Sequence, residues 1–110
     1  MLKSVVAMVL ATTINLTPAY ECIGQFEITA YAEDTITATG TVPTPMRTVA
    51  VDPNVIPYGT ELYIEDLDLY VRAEDCGGAV KGNVIDLYMS GTEAETDSFG
   101  RQIHNVYVMR

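Results

Sequence analysis

The sequence contains few of the residues that usually bind metals. Its 110 residues include two cysteines, Cys22 and Cys76, and one histidine, His104. Two distant cysteines and a single histidine lack the ligand spacing of zinc motifs, so we expect neither a metal site nor a cofactor. We interpret His104 as a surface residue. In an oxidising compartment the two cysteines could form one disulfide or stay separate thiols, and the sequence leaves both possibilities open.

Basic residues are also scarce. Six Lys and Arg stand against 15 Asp and Glu, and the formal net charge is −9. A chain this acidic, with no basic cluster, lacks the electrostatic surface that binds a phosphate backbone. We therefore expect no nucleic-acid partner, and an uncharged or locally screened polymer fits the charge better. Apolar residues make up 48% of the chain and no segment is of low complexity, so the composition predicts a folded globular domain.

The N-terminal segment differs from the rest of the chain. Lys3 is followed by the uncharged, apolar run Ser4–Leu16 and then by small residues that end at Ala19. This order predicts a secretory signal peptide over residues 1–19, which implies a protein that is secreted or associated with the cell wall. A short membrane anchor and a buried first helix are the alternatives, although the run is shorter than the roughly 20 residues that span a bilayer.

The rest of the chain has room for one domain. We expect an N-terminal tail over residues 20–25 and a domain over residues 26–110. Apolar residues alternate with polar ones from Phe26 to Tyr31, which predicts a half-buried strand. Similar patterns predict further strands at Thr35–Thr41, Thr48–Val51, Glu61–Ile64, Leu69–Ala73 and Val84–Met89, and around Val106 and Val108. An acidic turn separates Glu61–Ile64 from Leu69–Ala73, which predicts a hairpin.

One short helix is predicted over Thr92–Phe99. Ser90 is the expected N-cap, Glu93 its capping-box partner and Gly100 the C-terminal stop. One helix among six or seven short strands favours an all-β fold closed into a small barrel, because closure leaves no unpaired strand edges.

Three aspartates lie in or beside apolar strand segments. Asp52 precedes Pro53, Asp75 precedes a glycine-rich stretch, and Asp86 lies within Val84–Met89. A carboxylate in such a place costs free energy unless it is hydrogen-bonded or protonated. For Asp52 we favour a structural role, because aspartate beside proline often accepts backbone hydrogen bonds in a turn.

Asp75 and Asp86 have a different context. Gly77, Gly78 and Gly82 lie between them and permit a tight reversal that could bring both aspartates to one cleft. Repulsion and desolvation would then raise one pKa and leave a protonated acid beside an ionised carboxylate. Such a pair is suited to protonating a glycosidic oxygen.

Six segments of the chain match the motifs of a known family: Phe26–Tyr31, Thr37–Thr41, Arg47–Pro53, Val55–Thr60, Ala73–Asn83 and Ile85–Met89. In these segments the chain resembles the 3D domain, a family named for three aspartates that is related to the catalytic core of the MltA lytic transglycosylases. The segments occur in order, and the resemblance extends from about Phe26 to Val108. It is therefore specific and covers nearly all of the expected domain.

This resemblance implies a six-stranded double-psi β-barrel. In enzymatic members of the family it also implies cleavage of the bond between N-acetylmuramic acid and N-acetylglucosamine in peptidoglycan glycan strands. The expected activity is that of a lytic transglycosylase, which forms a 1,6-anhydro-muramic acid end and uses no water. By position, Asp86 is the expected catalytic acid/base and Asp75 the carboxylate that supports it.

Further residues of the matching segments are candidates for contacts with the glycan or for supporting the site. The substrate-binding candidates are Thr39, Gly40, Lys81 and Tyr88, with Tyr31 as a further aromatic that could stack on a sugar. The supporting candidates are Asp52, Gly77 and Gly78. Each also has an ordinary structural interpretation, as a strand threonine, a solvated turn lysine or a surface tyrosine of a barrel.

Two other functions compete with the enzyme. The same architecture could serve as a non-catalytic module that binds cell-wall glycan, since a fold does not imply an activity. A purely structural secreted domain is the third possibility. The presence of both Asp75 and Asp86 favours the enzyme. Neither Cys22 nor Cys76 has the sequence context of a nucleophile, so we expect the chemistry to proceed without them.

Overall fold

A computed structural model describes residues 19–109 of the chain, so the signal peptide predicted over residues 1–19 lies almost entirely outside the described part. The described strands are β1 (Tyr20–Tyr31), β2 (Thr48–Ala50), β3 (Glu61–Ile64), β4 (Leu69–Asp75), β5 (Val84–Tyr88) and β6 (Gln102–Met109). A 3-10 helix spans Glu65–Leu67 and one α-helix, α1, spans Glu93–Phe99. No helix in residues 19–109 is long and apolar enough to cross a membrane.

The strands close into a mixed barrel in the order β1-β5-β2-β4-β3-β6. β1 runs parallel to β5, and β2 runs parallel to β4, whereas the other neighbouring pairs are antiparallel. The barrel closes because β1 pairs with β5 along one edge and with β6 along the other. The predicted all-β, six-stranded barrel with one short helix is confirmed.

Alternating apolar side chains fill the barrel. In β5, Ile85 and Leu87 are fully buried, while Asp86 between them faces the other way and is partly exposed. The core cluster consists of Phe26, Ile28, Val49, Val51, Ile56, Leu62, Ile64, Val71, Ala73, Ile85, Leu87 and Val106. Burying each large apolar side chain contributes about 1.5–3 kcal/mol, so this cluster is the main source of stability.

The first strand is longer than predicted. Residues 20–25, which we expected to form a tail, continue β1 and pair with β6, from Tyr20 opposite Met109 to Gln25 opposite Asn105. The pairing register shifts between Cys22 and Gly24. The reason the tail prediction was wrong is that β6 offers these residues a partner strand, which a single-strand pattern cannot reveal.

The segment Thr35–Thr41, predicted as a strand, is a loop in the structure. Threonine hydroxyls bond to one another there: Thr37 Oγ1 lies 3.1 Å from Thr39 Oγ1 and 2.6 Å from Thr41 Oγ1. Gly40 adopts a φ of 90°, which does not fit a strand. Local hydrogen bonds of threonine therefore replace the strand ladder suggested by its β-propensity.

The helix prediction is right about the element and wrong about its start. The N-cap of α1 is Thr92 rather than Ser90, and the capping-box partner is Glu95 rather than Glu93. Thr92 Oγ1 accepts from the Glu95 N–H at 3.3 Å, and the Glu95 carboxylate accepts from the Thr92 N–H at 3.0 Å. The helix ends at Gly100 as predicted, and β3 and β4 form the predicted hairpin.

Candidate active site

Two of the predicted aspartates lie in one row across the barrel wall. Asp86 of β5 pairs on one side with Thr29 of β1 and on the other with Ala50 of β2. Ala50 in turn pairs with Asp75 of β4. Since neighbouring strands lie about 4.8 Å apart, the backbones of Asp75 and Asp86 are separated by about 10 Å. The small side chain of Ala50 leaves room for the two carboxyl groups to approach each other.

Asp86 lies at an open pocket. The pocket has a volume of about 290 Å³, and its lining includes Thr29, Val80, Asp86 and Arg101. Thr29 Oγ1 donates a hydrogen bond to Asp86 Oδ1 at 2.9 Å. Partial burial raises the pKa of the Asp86 carboxyl and the negative charge of Asp75 adds to the increase, while the Thr29 hydrogen bond opposes it. Asp86 therefore holds a proton more readily than an ordinary aspartate.

Asp75 is fixed by three hydrogen bonds. Its side chain is buried, and Oδ2 accepts from the Tyr31 hydroxyl at 2.9 Å. Oδ1 accepts from the backbone N–H of Ala38 at 2.9 Å and of Cys76 at 3.0 Å. These donors hold the carboxylate in one orientation beside Asp86.

Asp34 and Tyr31 complete the cluster. Burial raises the pKa of Asp34, and its hydrogen bond with Asp75 and the Asp75 charge raise it further, against the backbone donors Ile36 and Thr35. The pKa of the Tyr31 hydroxyl is also raised, first by burial, then by its hydrogen bond to Asp75 and by the surrounding carboxyl charges. Tyr31 therefore stays protonated. Several carboxyl groups thus share a small volume, an arrangement that favours one bound proton.

Asp52 has the surroundings of a turn residue. Its Oδ2 accepts from the Gly82 N–H at 2.9 Å and its Oδ1 from the Asn54 N–H at 3.0 Å. These two backbone donors lower the pKa of Asp52, and the charge of Lys81 lowers it further. Lys81, a substrate-binding candidate, is exposed and acts electrostatically on Asp52.

The remaining predicted residues divide between a second cavity and the interior. Thr39 lines a cavity of about 430 Å³, and its hydroxyl donates to the Glu74 carbonyl at 2.9 Å. Gly40 follows it on the exposed loop. Tyr88, in contrast, is only 8% exposed and its ring lies 5.4 Å from that of Tyr31. This small exposed surface argues against the expected stacking of Tyr88 on a sugar.

The glycines of the predicted support act through the backbone. Gly77 and Gly78 follow the end of β4 after one intervening residue, Cys76, and the Gly77 carbonyl accepts from the Val80 N–H at 3.1 Å. A Cβ on Gly77 would lie 3.3 Å from Val80 Cγ2, which is a tight contact. Gly77 therefore allows the chain to turn closely over Val80, which lines the Asp86 pocket.

This geometry agrees with the family comparison. The family model of the 3D domain matches residues 47–110, more than half of the chain, including Asp52, Asp75 and Asp86. The chain belongs to the 3D domain family. Its first strand, which carries Thr29 and Tyr31, precedes the matched residues but supplies two contacts of the site.

Relatives of this 3D domain include the cell wall-binding protein YocH of Bacillus subtilis, which is 38% identical over 63 residues. That match covers 57% of this chain and 21% of YocH. The match therefore spans about a fifth of the length of this relative, and most of YocH lies outside the matched region.

Solved structures show the same fold. MltA from E. coli with bound chitohexaose superposes with a TM-score of 0.57 at 24% identity, over 68% of this chain and 27% of MltA. The lytic transglycosylase LtgG of Burkholderia pseudomallei has a TM-score of 0.53 at 29% identity, over 72% of this chain and 27% of LtgG. These similarities show a shared fold, which covers little more than a quarter of each solved chain.

Sequence reasoning missed Thr29 and Asp34. Thr29 alternates with the buried Ile28 and shares a row with Asp86, but only the β1–β5 pairing shows this. Asp34 follows the first strand within an acidic pair with Glu33, and that position just after Tyr31 was the available signal.

Among residues 19–109 no cluster of His, Cys, Asp or Glu is arranged to hold a metal ion. Cys22 and Cys76 are free and exposed.

Proposed function

We propose that this 3D domain is a peptidoglycan lytic transglycosylase in which Asp86 is the catalytic acid/base. The observation that carries the proposal is the environment of Asp86. Its pKa is raised by burial and by Asp75, and its carboxyl group lines an open pocket. A carboxyl group that holds its proton at an accessible surface can act as a general acid.

The reaction needs one group that gives and then takes a proton. Asp86 donates its proton to the departing N-acetylglucosamine oxygen as the bond from that oxygen to C1 of the muramic acid breaks. The Asp86 carboxylate then takes the proton of the C6 hydroxyl while the C6 oxygen bonds to C1. Asp86 ends protonated, as it began, and no water is consumed.

The neighbouring residues support the two states of Asp86. The charge of Asp75 favours the protonated form required before cleavage. The Thr29 hydroxyl, donating at 2.9 Å, stabilises the carboxylate that exists between the two proton transfers. Tyr31 orients Asp75 through its own hydrogen bond. The partner is the glycan strand of peptidoglycan, and the site of action is the secreted or wall-associated compartment.

A non-catalytic glycan-binding module is the second candidate. Two observations favour it. The relative YocH is a cell wall-binding protein, and this chain covers 27% of the length of each of the two transglycosylases. In that case Asp75 and Asp86 would bind sugar hydroxyls as acceptors.

The products distinguish these functions. Purified protein is incubated with peptidoglycan in ¹⁸O-labelled water, and released muropeptides are analysed by mass spectrometry. We expect 1,6-anhydro-muropeptides without the label, and none from Asp86→Asn. Labelled reducing ends would instead identify a hydrolase. Binding to peptidoglycan without any released product would identify the binding module.

A further inference from the structure

Half of the Lys and Arg side chains in residues 19–109 line one cavity. Arg47 and Arg72 lie there, whereas Lys81 and Arg101 do not. The cavity, of about 430 Å³, is also lined by Thr39, Thr41, Tyr58 and Glu74. In a chain of net charge −9, this concentration of cations is unexpected.

The two arginines differ in their partners. Arg72 Nη1 pairs with Glu61 Oε2 at 2.7 Å, and its Nε lies 3.8 Å from Glu74 Oε2. Within the described residues, no carboxylate or other acceptor engages the Arg47 guanidinium. The Arg47 backbone is fixed, since its carbonyl accepts from the Arg72 N–H at 2.8 Å and its N–H donates to the Thr44 carbonyl at 3.2 Å. The Arg47 side chain therefore extends from a fixed backbone, is exposed, and keeps its guanidinium donors available for a ligand.

The cavity adjoins the aspartate cluster. Ala38 donates its N–H to Asp75 Oδ1 at 2.9 Å, and the next residue, Thr39, donates its N–H to the Glu74 carbonyl at 3.3 Å. Thr39 and Glu74 line the cavity. The residues next to them in the chain, Ala38 and Asp75, belong to the aspartate cluster. One substrate could thus reach both places across the loop.

We propose that this cavity binds a carboxylate of the glycan substrate and that Arg47 is its principal partner. The inference rests on the proposed function. It adds that the substrate must carry carboxylates, which excludes uncharged glycans. In peptidoglycan that group is either the lactyl carboxylate of muramic acid or a carboxylate of the attached peptide. A guanidinium can bind either one with two parallel hydrogen bonds. An uncharged chitin-type glycan offers Arg47 no such group.

The test measures binding separately from cleavage. Asp86→Asn protein, which should leave the glycan intact, is titrated calorimetrically with three ligands of equal sugar number. The first is a GlcNAc–MurNAc oligomer with free lactyl carboxylates, the second its methylamide derivative, and the third the oligomer with its peptides attached. We expect the carboxylate ligand to bind about tenfold more tightly than the amide, as charge-assisted hydrogen bonds predict.

Variants assign the preference to Arg47. Arg47→Gln in the same background should lower the affinity for the carboxylate ligand to that for the amide, and Arg47→Lys should restore part of it. Val42→Gln is the control, because Val42 is 77% exposed on the neighbouring loop and does not line the cavity. Tight binding of the peptide-bearing ligand alone would identify the peptide as the source of the carboxylate.

The inference is overturned by equal affinity for all three ligands, by a carboxylate preference that survives Arg47→Gln, or by no binding at millimolar concentration. Its failure is distinct from failure of the proposed function. If unmodified protein binds the carboxylate preferentially but releases no anhydro product, the inference stands and the enzyme proposal falls. If anhydro products form without any carboxylate preference, the reverse holds.

Discussion

The turn around Asp52 and the strand row around Asp86 place the same residue type in opposite surroundings. Asp52 receives two backbone N–H donors and the charge of Lys81, and its pKa is lowered. Partial burial raises the pKa of Asp86 and the negative charge of Asp75 adds to the increase, against the opposing Thr29 hydrogen bond. At Asp52 the two backbone donors outweigh burial, whereas at Asp86 burial is the largest cause. This balance of burial, donors and neighbouring charges separates a structural carboxylate from a candidate acid.

The sharpest test of this comparison is activity after the same substitution at both positions. Asp86→Asn keeps the side-chain shape but cannot transfer a proton, so we expect peptidoglycan cleavage to fall by about a hundredfold or more. Asp52→Asn should retain most of the activity, because its carboxylate organises a turn. Rates of muropeptide release by folded variants, checked by circular dichroism, measure both. Equal losses would remove the distinction between the two sites.

Asp75→Asn should sharpen the electrostatic part of the comparison. Asp86 must be protonated to start the reaction, so activity declines as the pH rises through its pKa. Removing the Asp75 charge lowers that pKa, and the alkaline limb of the pH–rate profile should move to lower pH. We expect a loss on the order of tenfold at neutral pH. Tyr31→Phe, which removes a hydrogen bond but no carboxyl charge, is the matched control. An unchanged alkaline limb in Asp75→Asn would contradict this role.

Thr29→Val should act in the opposite direction. The Thr29 hydrogen bond lowers the pKa of Asp86, so its loss raises that pKa and moves the alkaline limb to higher pH. Valine is close to threonine in shape, and we expect the rate at neutral pH to change by less than about tenfold. A pH–rate profile measures the shift. Movement of the limb to lower pH would show that Thr29 does not stabilise the Asp86 carboxylate.

The smallest expected effect is on stability. A raised carboxyl pKa makes the folded state bind its proton more tightly, so the Asp86 contribution to stability decreases as pH rises above the ordinary carboxyl range. A lowered pKa does the opposite, and the Asp52 contribution is lost as the pH falls below that range and through the lowered pKa of the folded state. Urea unfolding at neutral pH should therefore show Asp86→Asn more stable than the original protein and Asp52→Asn less stable. At a pH below the ordinary aspartate pKa both differences should shrink, and differences that persist there would have another origin.

Much of the fold could be predicted from local patterns. The alternation of Ile85 and Leu87 around Asp86 is sufficient to predict a strand and the direction of each side chain. The segment Thr35–Thr41 has equally strong β-propensity, yet its hydroxyls bond to each other and it forms a loop. Residues 20–25 gave no strong signal and still extend β1, because β6 pairs with them.

Two aspartates of the candidate site were predictable from the sequence, whereas the residues that surround them were not. Asp75 and Asp86 follow from sequence and family motifs, whereas Thr29 and Asp34 join them only through strand pairing and loop placement. Tyr88 shows the converse, since its motif position suggested a sugar contact and its packing on Tyr31 buries it. A side chain's neighbours across the sheet cannot be obtained from its neighbours along the chain.

The sequence by itself determined the acidic character of this protein, its strand-rich barrel, and the spacing of its aspartates around a glycine-rich turn. These properties depend on residue type and on the local alternation of apolar and polar residues, both of which can be read directly from the sequence. Only the tertiary structure decided that Ala50 lies between Asp75 and Asp86, that backbone donors surround Asp52, and that Arg47 has no acidic partner in the described residues. These three features arise because strands and loops that are distant in sequence lie close together in the fold. Such contacts set the pKa of a carboxyl group and decide whether a guanidinium is free to bind a ligand.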